Sequence, residues 1–146
     1  MANQGAVAGY SGTPLWRKLG IREGDVLALL AAPEGFAIAD LPPGVQVRRQ
    51  ARAGCDVIVS FHTRRSDLAR HLPALMLALV VDGSLWIAWP KRASDVPTDV
   101  TEDVVREVVL PAGMVDTKVC AIDATWSGLR LALRRHLRPG RTSAAG

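Results

Sequence analysis

The amino-acid sequence predicts an α/β domain with a mostly parallel sheet of about six strands, helices on both faces and a C-terminal β-hairpin. Stretches of strand length alternate with amphipathic stretches of helix length, which is typical of parallel sheets. Two strand stretches, residues 26–32 and 56–61, are apolar almost throughout, as strands covered on both faces are. The last two strand stretches are joined tightly through residues 124–126, which predicts the hairpin.

The first part of the chain is predicted to form a short helix and three strands. TPLWRKLGI, residues 13–21, is typical of a helix that Thr13 caps and Gly20 ends. The first apolar strand follows, and a crossover connection with a short helix near residues 34–41 leads to the second. That second strand, VQVRR at residues 45–49, alternates apolar and polar residues and is predicted to lie at an edge. The third strand, DVIVSF, is predicted to be central.

The second part is predicted to contain two amphipathic helices and the remaining strands. Ser66 begins a helix whose apolar residues recur at spacings of three and four. An Asp82-Gly83 turn closes this segment, and the strand SLWIAWP follows. Asp99 and Glu102 resemble a capping box that opens the next helix. The hairpin strands are TKVCAID and SGLRLALRR.

Length and composition predict one globular domain, residues 9–138, between disordered segments at residues 1–8 and 139–146. The chain has no apolar run long enough to span a membrane, and its N-terminus lacks the pattern of a signal peptide. A cytoplasmic location is therefore expected. Cys55 and Cys120 form no CxxC pair, so no disulfide framework is predicted.

Two resemblances support this fold. LALVVDGSLWIAWP resembles the helix, turn and strand of class I methyltransferases, which add a terminal hairpin to a three-layer Rossmann-like sheet. GYSGTPLWRKLGI, LLAAPEGF, DVIVSF, WIAWPK, TEDVVRE and KVCAIDATWSGLRL together resemble a small bacterial family of unknown function, over Gly9 to Arg135. The second resemblance implies a fold and no chemistry.

The turn after the first strand lacks the glycines that let a backbone approach a nucleotide cofactor. Residues 31–35 read Ala-Ala-Pro-Glu-Gly, so one glycine is present. Pro33 removes an N–H donor, and Glu34 places a negative charge where a phosphate would lie. Arg48 and Arg49 stand at the end of the second strand, where an acidic residue normally binds ribose hydroxyls. Both usual contacts for S-adenosylmethionine or NAD are therefore missing, and the cofactor is left unknown.

A ligand site is expected beyond the carboxyl ends of the strands. In the functional interpretation, Lys91 receives a small anionic ligand together with Arg64 and Arg65. His62 titrates near neutrality in this interpretation. In the structural interpretation, the residues at these strand ends are ordinary loop residues. The candidate crevice residues are Pro33, Glu34, Gly35, His62, Thr63, Arg64, Trp89 and Lys91.

The segment before the first helix has two interpretations. Tyr10, Ser11 and Thr13 either form a lid over the crevice or only cap the helix and seal the end of the sheet. The structural interpretation is preferred, because small polar residues commonly precede a helix.

The histidines and tryptophans do not by themselves indicate a site. His62, His71 and His136 lack the spacing of zinc ligands, so no metal site is predicted. Trp86 and Trp89 lie three residues apart on one strand and therefore face opposite sides of the sheet. Packing against the two helical layers is the expected role of these two indoles.

Arginine clusters carry much of the formal charge of +4. Arg48, Arg49 and Arg52 form one cluster, and residues 130–141 contain a second. Solvated side chains are the expected interpretation, and nucleic-acid binding is disfavoured because no aromatic stacking motif lies among the arginines. A homodimer is left open, with Trp126 in the hairpin turn as the candidate for exposure at an interface.

Two functional classes remain at this point. The leading hypothesis is a degenerate Rossmann-like, methyltransferase-like domain that acts as a small binding or regulatory module. The alternative is an atypical methyltransferase or nucleotide-dependent enzyme that uses the crevice at the strand ends. Whether the protein is an enzyme is left open.

The altered turn predicts that the protein has no measurable affinity for S-adenosylmethionine at physiological concentrations. Pro33 and Glu34 replace the residues that would approach this cofactor. Isothermal titration calorimetry checks the expectation, and micromolar binding would favour the enzyme instead.

Overall fold

The computed structural model describes residues 12–134. No helix in this range is long and apolar enough to cross a membrane. The segments predicted to be disordered, residues 1–8 and 139–146, lie outside the described residues. The strands are β1 (Val26–Leu30), β2 (Gln46–Arg48), β3 (Cys55–Phe61), β4 (Leu79–Pro90), β5 (Met114–Ala121) and β6 (Trp126–Leu133). The helices are α1 (Leu15–Lys18), α2 (Arg65–Ala78) and α3 (Glu102–Val109), with a 3₁₀ helix at Arg92–Ser94.

All six strands belong to one sheet in the order β2-β1-β3-β4-β6-β5. The first four strands in this order run parallel, and β6 runs antiparallel to both β4 and β5. The predicted α/β class, the mostly parallel sheet and the C-terminal hairpin are therefore confirmed. So are the edge position of β2 and the central position of β3. Because β1 lies between β2 and β3 and all three run parallel, the chain from the carboxyl end of β2 to the amino end of β3 crosses β1.

One face of the sheet is covered by α2 and α3. The buried side chains of α2 are Leu68, Leu72, Leu75 and Ala78, at the spacing of one helical face. Val105 and Val109 of α3 join the same core. This helical layer packs on the side of β4 that carries Trp89.

The opposite face has a much thinner cover. Here α1 and the segment between β1 and β2 pack on the sheet through side chains such as Leu19 and Ile38. Trp86 lies in this second core and donates a hydrogen bond from Nε1 to the carbonyl oxygen of Leu19 at 3.0 Å. The predicted opposite orientation of Trp86 and Trp89 is confirmed. Three layers are present, but one helix of four residues and a loop form the third.

The short helix predicted near residues 34–41 does not form, and that prediction is wrong. Turns occupy the segment, with Gly35 at φ 81° and Asp40 at φ 59°. Left-handed residues of this kind interrupt a right-handed helix. Phe36 and Ile38 instead pack on the sheet as part of an irregular cover.

The Asp82-Gly83 turn predicted after the first long helix is also wrong. The helix ends at Ala78, and the next residue already belongs to β4, so both residues lie inside that strand. A Cβ added at Gly83 would lie 2.7 Å from Leu79 Cδ1 and 2.9 Å from the Asp56 carbonyl oxygen. Glycine is needed here for close packing between β3 and β4 and not for a turn.

The predicted helix caps differ from those in the structure, although Gly20 does end α1 with φ 79°. Pro14 occupies the N-cap position of α1, and Thr13 makes no capping hydrogen bond. Thr101 caps α3 by accepting a hydrogen bond from the Val104 N–H at 3.2 Å. Asp99 accepts from the backbone N–H of Arg65 at 2.7 Å and so connects the starts of the two longer helices.

Two leucines with opposite environments provide a test of this core. Leu29 on β1 is 3 % exposed and Leu77 on α2 is 82 % exposed. Leu29→Ala should lower the free energy of unfolding by roughly 2–5 kcal/mol, because apolar contacts are lost and a cavity remains. Leu77→Ala, the matched control, should change it by no more than about 0.5 kcal/mol. Denaturant unfolding measures both, and equal effects would contradict the assignment of β1 to the core.

Candidate functional site

A cavity of about 530 Å³ lies at the carboxyl ends of the parallel strands. Its walls are formed by residues 30–31 at the end of β1, residues 49–51 after β2 and residues 60–63 at the end of β3. One side of α2 and the indole of Trp126 complete it. Because β1, β2 and β3 are parallel neighbours, their carboxyl ends meet at one edge of the sheet. We call this cavity the crevice.

Two histidines lie close together in the crevice. His62 follows β3 and is 4 % exposed, and its ring centroid lies 6.0 Å from that of His71 on α2. Ser60 lies two residues earlier, so it shares a face of β3 with His62. Ser60 Oγ and His62 Nε2 share a hydrogen bond of 2.8 Å. Asp67 lies four residues before His71 and therefore faces the same cavity from the preceding turn of α2.

Burial controls the protonation of His62. Loss of solvent and the neighbouring His71 lower the pKa of His62 to about 4, although Asp67 acts in the opposite direction. The imidazole is therefore neutral at neutral pH. It offers a hydrogen-bonding group without charge, and its low pKa makes it a weak general base.

The turn after β1 contains a left-handed residue that is not glycine. Ala31 adopts φ 56°, a conformation that glycine normally supplies. The Phe36 N–H donates to the Pro33 carbonyl oxygen at 3.0 Å, and the Phe36 ring packs edge-on against Phe61 at 4.9 Å. Phe61 packs in the same way against Trp126 at 5.0 Å. The turn thus leads into the apolar cover of the sheet.

The structure brings only part of the predicted site together. His62 and Thr63 line the crevice, whereas the other predicted residues do not. Glu34 and Gly35 are exposed and Pro33 is half-buried in the turn beyond the crevice. Trp89 is buried in the core beneath the helices.

The predicted cations at this edge are also placed differently. Lys91 Nζ donates to the Asp123 carbonyl oxygen at 2.7 Å, so this ammonium group is held at the hairpin turn. Arg64 is exposed outside the crevice. Of the proposed lid, Tyr10 and Ser11 lie outside the described residues, and Thr13 is half-buried before α1.

Sequence reasoning missed several crevice residues. The spacing of Ser60 with His62, and of Asp67 with His71, is visible in the sequence and places each pair on one face. Nothing local indicates that Trp126 from the hairpin reaches the same cavity. It is half-buried there and packed against Phe61. Residues 12–134 contain no group of three His, Cys, Asp or Glu side chains that could hold a metal ion.

Comparison with known families identifies the sequence family. Residues 38–135 match the model of a family described as a protein of unknown function, DUF3052. This match spans more than half of the chain. The chain belongs to the DUF3052 family. The expected membership of a family of unknown function is thereby confirmed, and no curated protein matches this family member.

Solved structures share the fold of this DUF3052 member at low sequence identity. A SAM-dependent methyltransferase from Aquifex aeolicus has a TM-score of 0.60 and 13% identity, covering 80% of this chain and 86% of that one. A possible exported protein from Bordetella parapertussis has a TM-score of 0.56 and 13% identity, covering 82% and 66%. The fibrillarin pre-rRNA processing protein of Methanococcus jannaschii has a TM-score of 0.53 and 13% identity, covering 84% and 69%. These likenesses confirm the methyltransferase-like fold and do not extend to activity.

The buried histidine predicts a measurable pH dependence. The ring of His62 should titrate with a pKa near 4 in an NMR titration, and His71→Asn should raise that value because a neighbouring positive charge is removed. Since the unfolded chain binds this proton near pH 6.5, the free energy of unfolding should fall between about pH 6.5 and pH 4, by at most about 3 kcal/mol.

The control for this pH dependence is His62→Gln, which should remove that part of the slope while leaving the titration of the carboxylates in place. A His62 ring that titrates near 6.5, or an unchanged slope in His62→Gln, would contradict a buried neutral imidazole.

Proposed function

We propose that this protein is a small-molecule-binding module whose ligand lies in the crevice and is held without the usual cofactor turn. The observation that carries the proposal is the position and construction of the crevice. It lies where open α/β sheets bind ligands, yet Ala31 is the one residue of the turn after β1 that lines it, and Ala32 and Phe36 pack on the sheet. Arg49 stands beside the crevice in place of an acidic ribose ligand.

The walls of the crevice favour a compact ligand with a planar, mostly neutral body. A volume of about 530 Å³ lies within the usual range of small-molecule sites. Trp126 and the two histidine rings supply flat surfaces, and the hydrogen-bonded Ser60–His62 pair adds no charge at neutral pH. The carboxylate of Asp67 is already paired with Arg70 at 2.6 Å, which reduces its attraction for a cation.

Binding is favoured over acid–base or nucleophilic catalysis. A general base works best with a pKa near the working pH, and the pKa of His62 is about 4. Ser60 is 2 % exposed, so its hydroxyl is poorly placed to attack a substrate. The crevice therefore suits recognition better than these forms of chemistry.

The alternative is an atypical methyltransferase or nucleotide-dependent enzyme. It is favoured by the fold shared with a protein described as a SAM-dependent methyltransferase, because the crevice lies at the ligand-binding end of such a sheet. Methyl transfer requires bound S-adenosylmethionine, so the two proposals differ in a measurable affinity.

A ligand screen tests the binding module. S-Adenosylmethionine, NAD, NADP, nucleotides and an acyl-CoA should be compared by thermal shift, since a ligand at a hundred times its Kd stabilises by about 2.7 kcal/mol. We expect stabilisation by a ligand other than S-adenosylmethionine. His71→Ala should reduce it, whereas Leu77→Ala on the exposed side of α2 should not.

Tryptophan NMR signals locate the ligand in the same samples. The indole N–H of Trp126 should shift on binding, and those of Trp16 and Trp89 should not, because neither lines the crevice. A stabilising ligand that leaves Trp126 unchanged would contradict the crevice as its site. Binding of S-adenosylmethionine in the crevice would favour the enzyme.

A further inference from the structure

A second cavity of about 240 Å³ adjoins the crevice at the edge of the sheet. It is lined by Arg48, Arg49, Gln50 and Arg52, and it shares Arg49 and Gln50 with the crevice. The two cavities are therefore neighbours at residues 49–50. We call it the arginine pocket.

The three arginines of this pocket have no carboxylate within ion-pair distance among residues 12–134. Arg48 donates from Nη1 to the Ala53 carbonyl oxygen at 3.0 Å, which orients its guanidinium without neutralising it. Three positive side chains beside one another repel unless an anion lies between them. The arginine ion pairs that the structure does contain are Arg65–Glu107, Arg70–Asp67, Arg106–Glu102 and Arg106–Asp116.

The position of the pocket indicates which part of a ligand it receives. Segment 49–51 follows β2, the strand whose end contacts the ribose in open α/β nucleotide sites. An acidic residue there binds ribose hydroxyls, whereas arginine accommodates a phosphate on the ribose. Guanidinium groups bind phosphate through paired hydrogen bonds, which a hydroxyl cannot match.

We infer that the arginine pocket is a phosphate subsite of the crevice. The ligand places a phosphomonoester against Arg49 and Arg52, while its planar body lies between Trp126 and the histidines. This inference rests on the proposed function and specifies its ligand class as a phosphorylated nucleoside-like molecule. It also places the anionic group of the ligand beside the end of β2. The sequence had suggested Lys91 as its partner, but the ammonium group of Lys91 donates to the hairpin turn.

The test compares adenosine with its 2′-, 3′- and 5′-monophosphates, using NMR titration of the full-length chain. At least one monophosphate should bind roughly tenfold or more tightly than adenosine, as expected for charge-assisted hydrogen bonds. Arg52→Ala should reduce this advantage and leave the affinity for adenosine unchanged, because Arg52 lines the arginine pocket and not the crevice. Arg49→Ala should reduce the advantage as well. Arg22→Ala is the matched control, because Arg22 is exposed and lines neither cavity.

Each outcome separates the subsite from the crevice. Equal affinities for adenosine and all monophosphates, or an advantage that survives in the Arg49→Ala/Arg52→Ala double variant, overturn the phosphate subsite and leave crevice binding intact. Inorganic phosphate provides an independent arm. If it shifts the backbone amides of Arg49 and Arg52 although no nucleoside moves Trp126, the subsite is supported and the planar crevice ligand is not.

A nucleic-acid backbone is the other source of phosphate. The small-ligand subsite would be overturned by two results together. A short DNA duplex would bind with an affinity that Arg49→Ala lowers, and neither the monophosphates nor inorganic phosphate would shift the backbone amides of Arg49 and Arg52. Added salt should weaken the binding of the monophosphates and leave the binding of adenosine unchanged, because only the monophosphates make charged contacts with the arginines.

Discussion

The need to cover both faces of a parallel sheet shapes this protein more than any other constraint. Helices α2 and α3 bury one face, whereas α1 and the segment between β1 and β2 cover the other within residues 12–134. That segment therefore places Phe36 and Ile38 on the sheet. In a cofactor-binding sheet the same connection forms a glycine turn and a helix. In this protein the connection packs on the sheet through apolar side chains and therefore has a structural role.

In the proposed binding mode, other segments than the first connection therefore recognise the ligand. The crevice remains at the carboxyl ends of the strands, since parallel pairing fixes that edge. Its polar groups come from β3 and α2, as Ser60, His62, Asp67 and His71, while its charge comes from the segment after β2. Burial of His62 and the pairing of Asp67 with Arg70 leave the centre nearly neutral, with the positive charge at the rim. Such a distribution suits a neutral body with an anionic end.

The aromatic series Phe36, Phe61 and Trp126 connects the cover of the sheet to the crevice. These rings come from three segments far apart in the sequence, and their edge-to-face contacts fix the hairpin turn against the end of β3. Lys91 contributes to the same placement through its hydrogen bond to Asp123. The wall formed by Trp126 is thus held by packing that serves the fold as well as the site.

The sequence alone determined the strands, the parallel character of the sheet, the hairpin and the opposite faces of Trp86 and Trp89, because these depend on local periodicity. It also indicated that the cofactor turn is altered and that Arg49 replaces an acid. Only the tertiary structure decided that residues 34–41 cover the sheet without a helix, and that Gly83 serves close packing. The pairing of His62 with His71 and the arrival of Trp126 likewise depend on contacts between distant segments. Local sequence does not specify those contacts, because each depends on how the other segments of the fold pack around it.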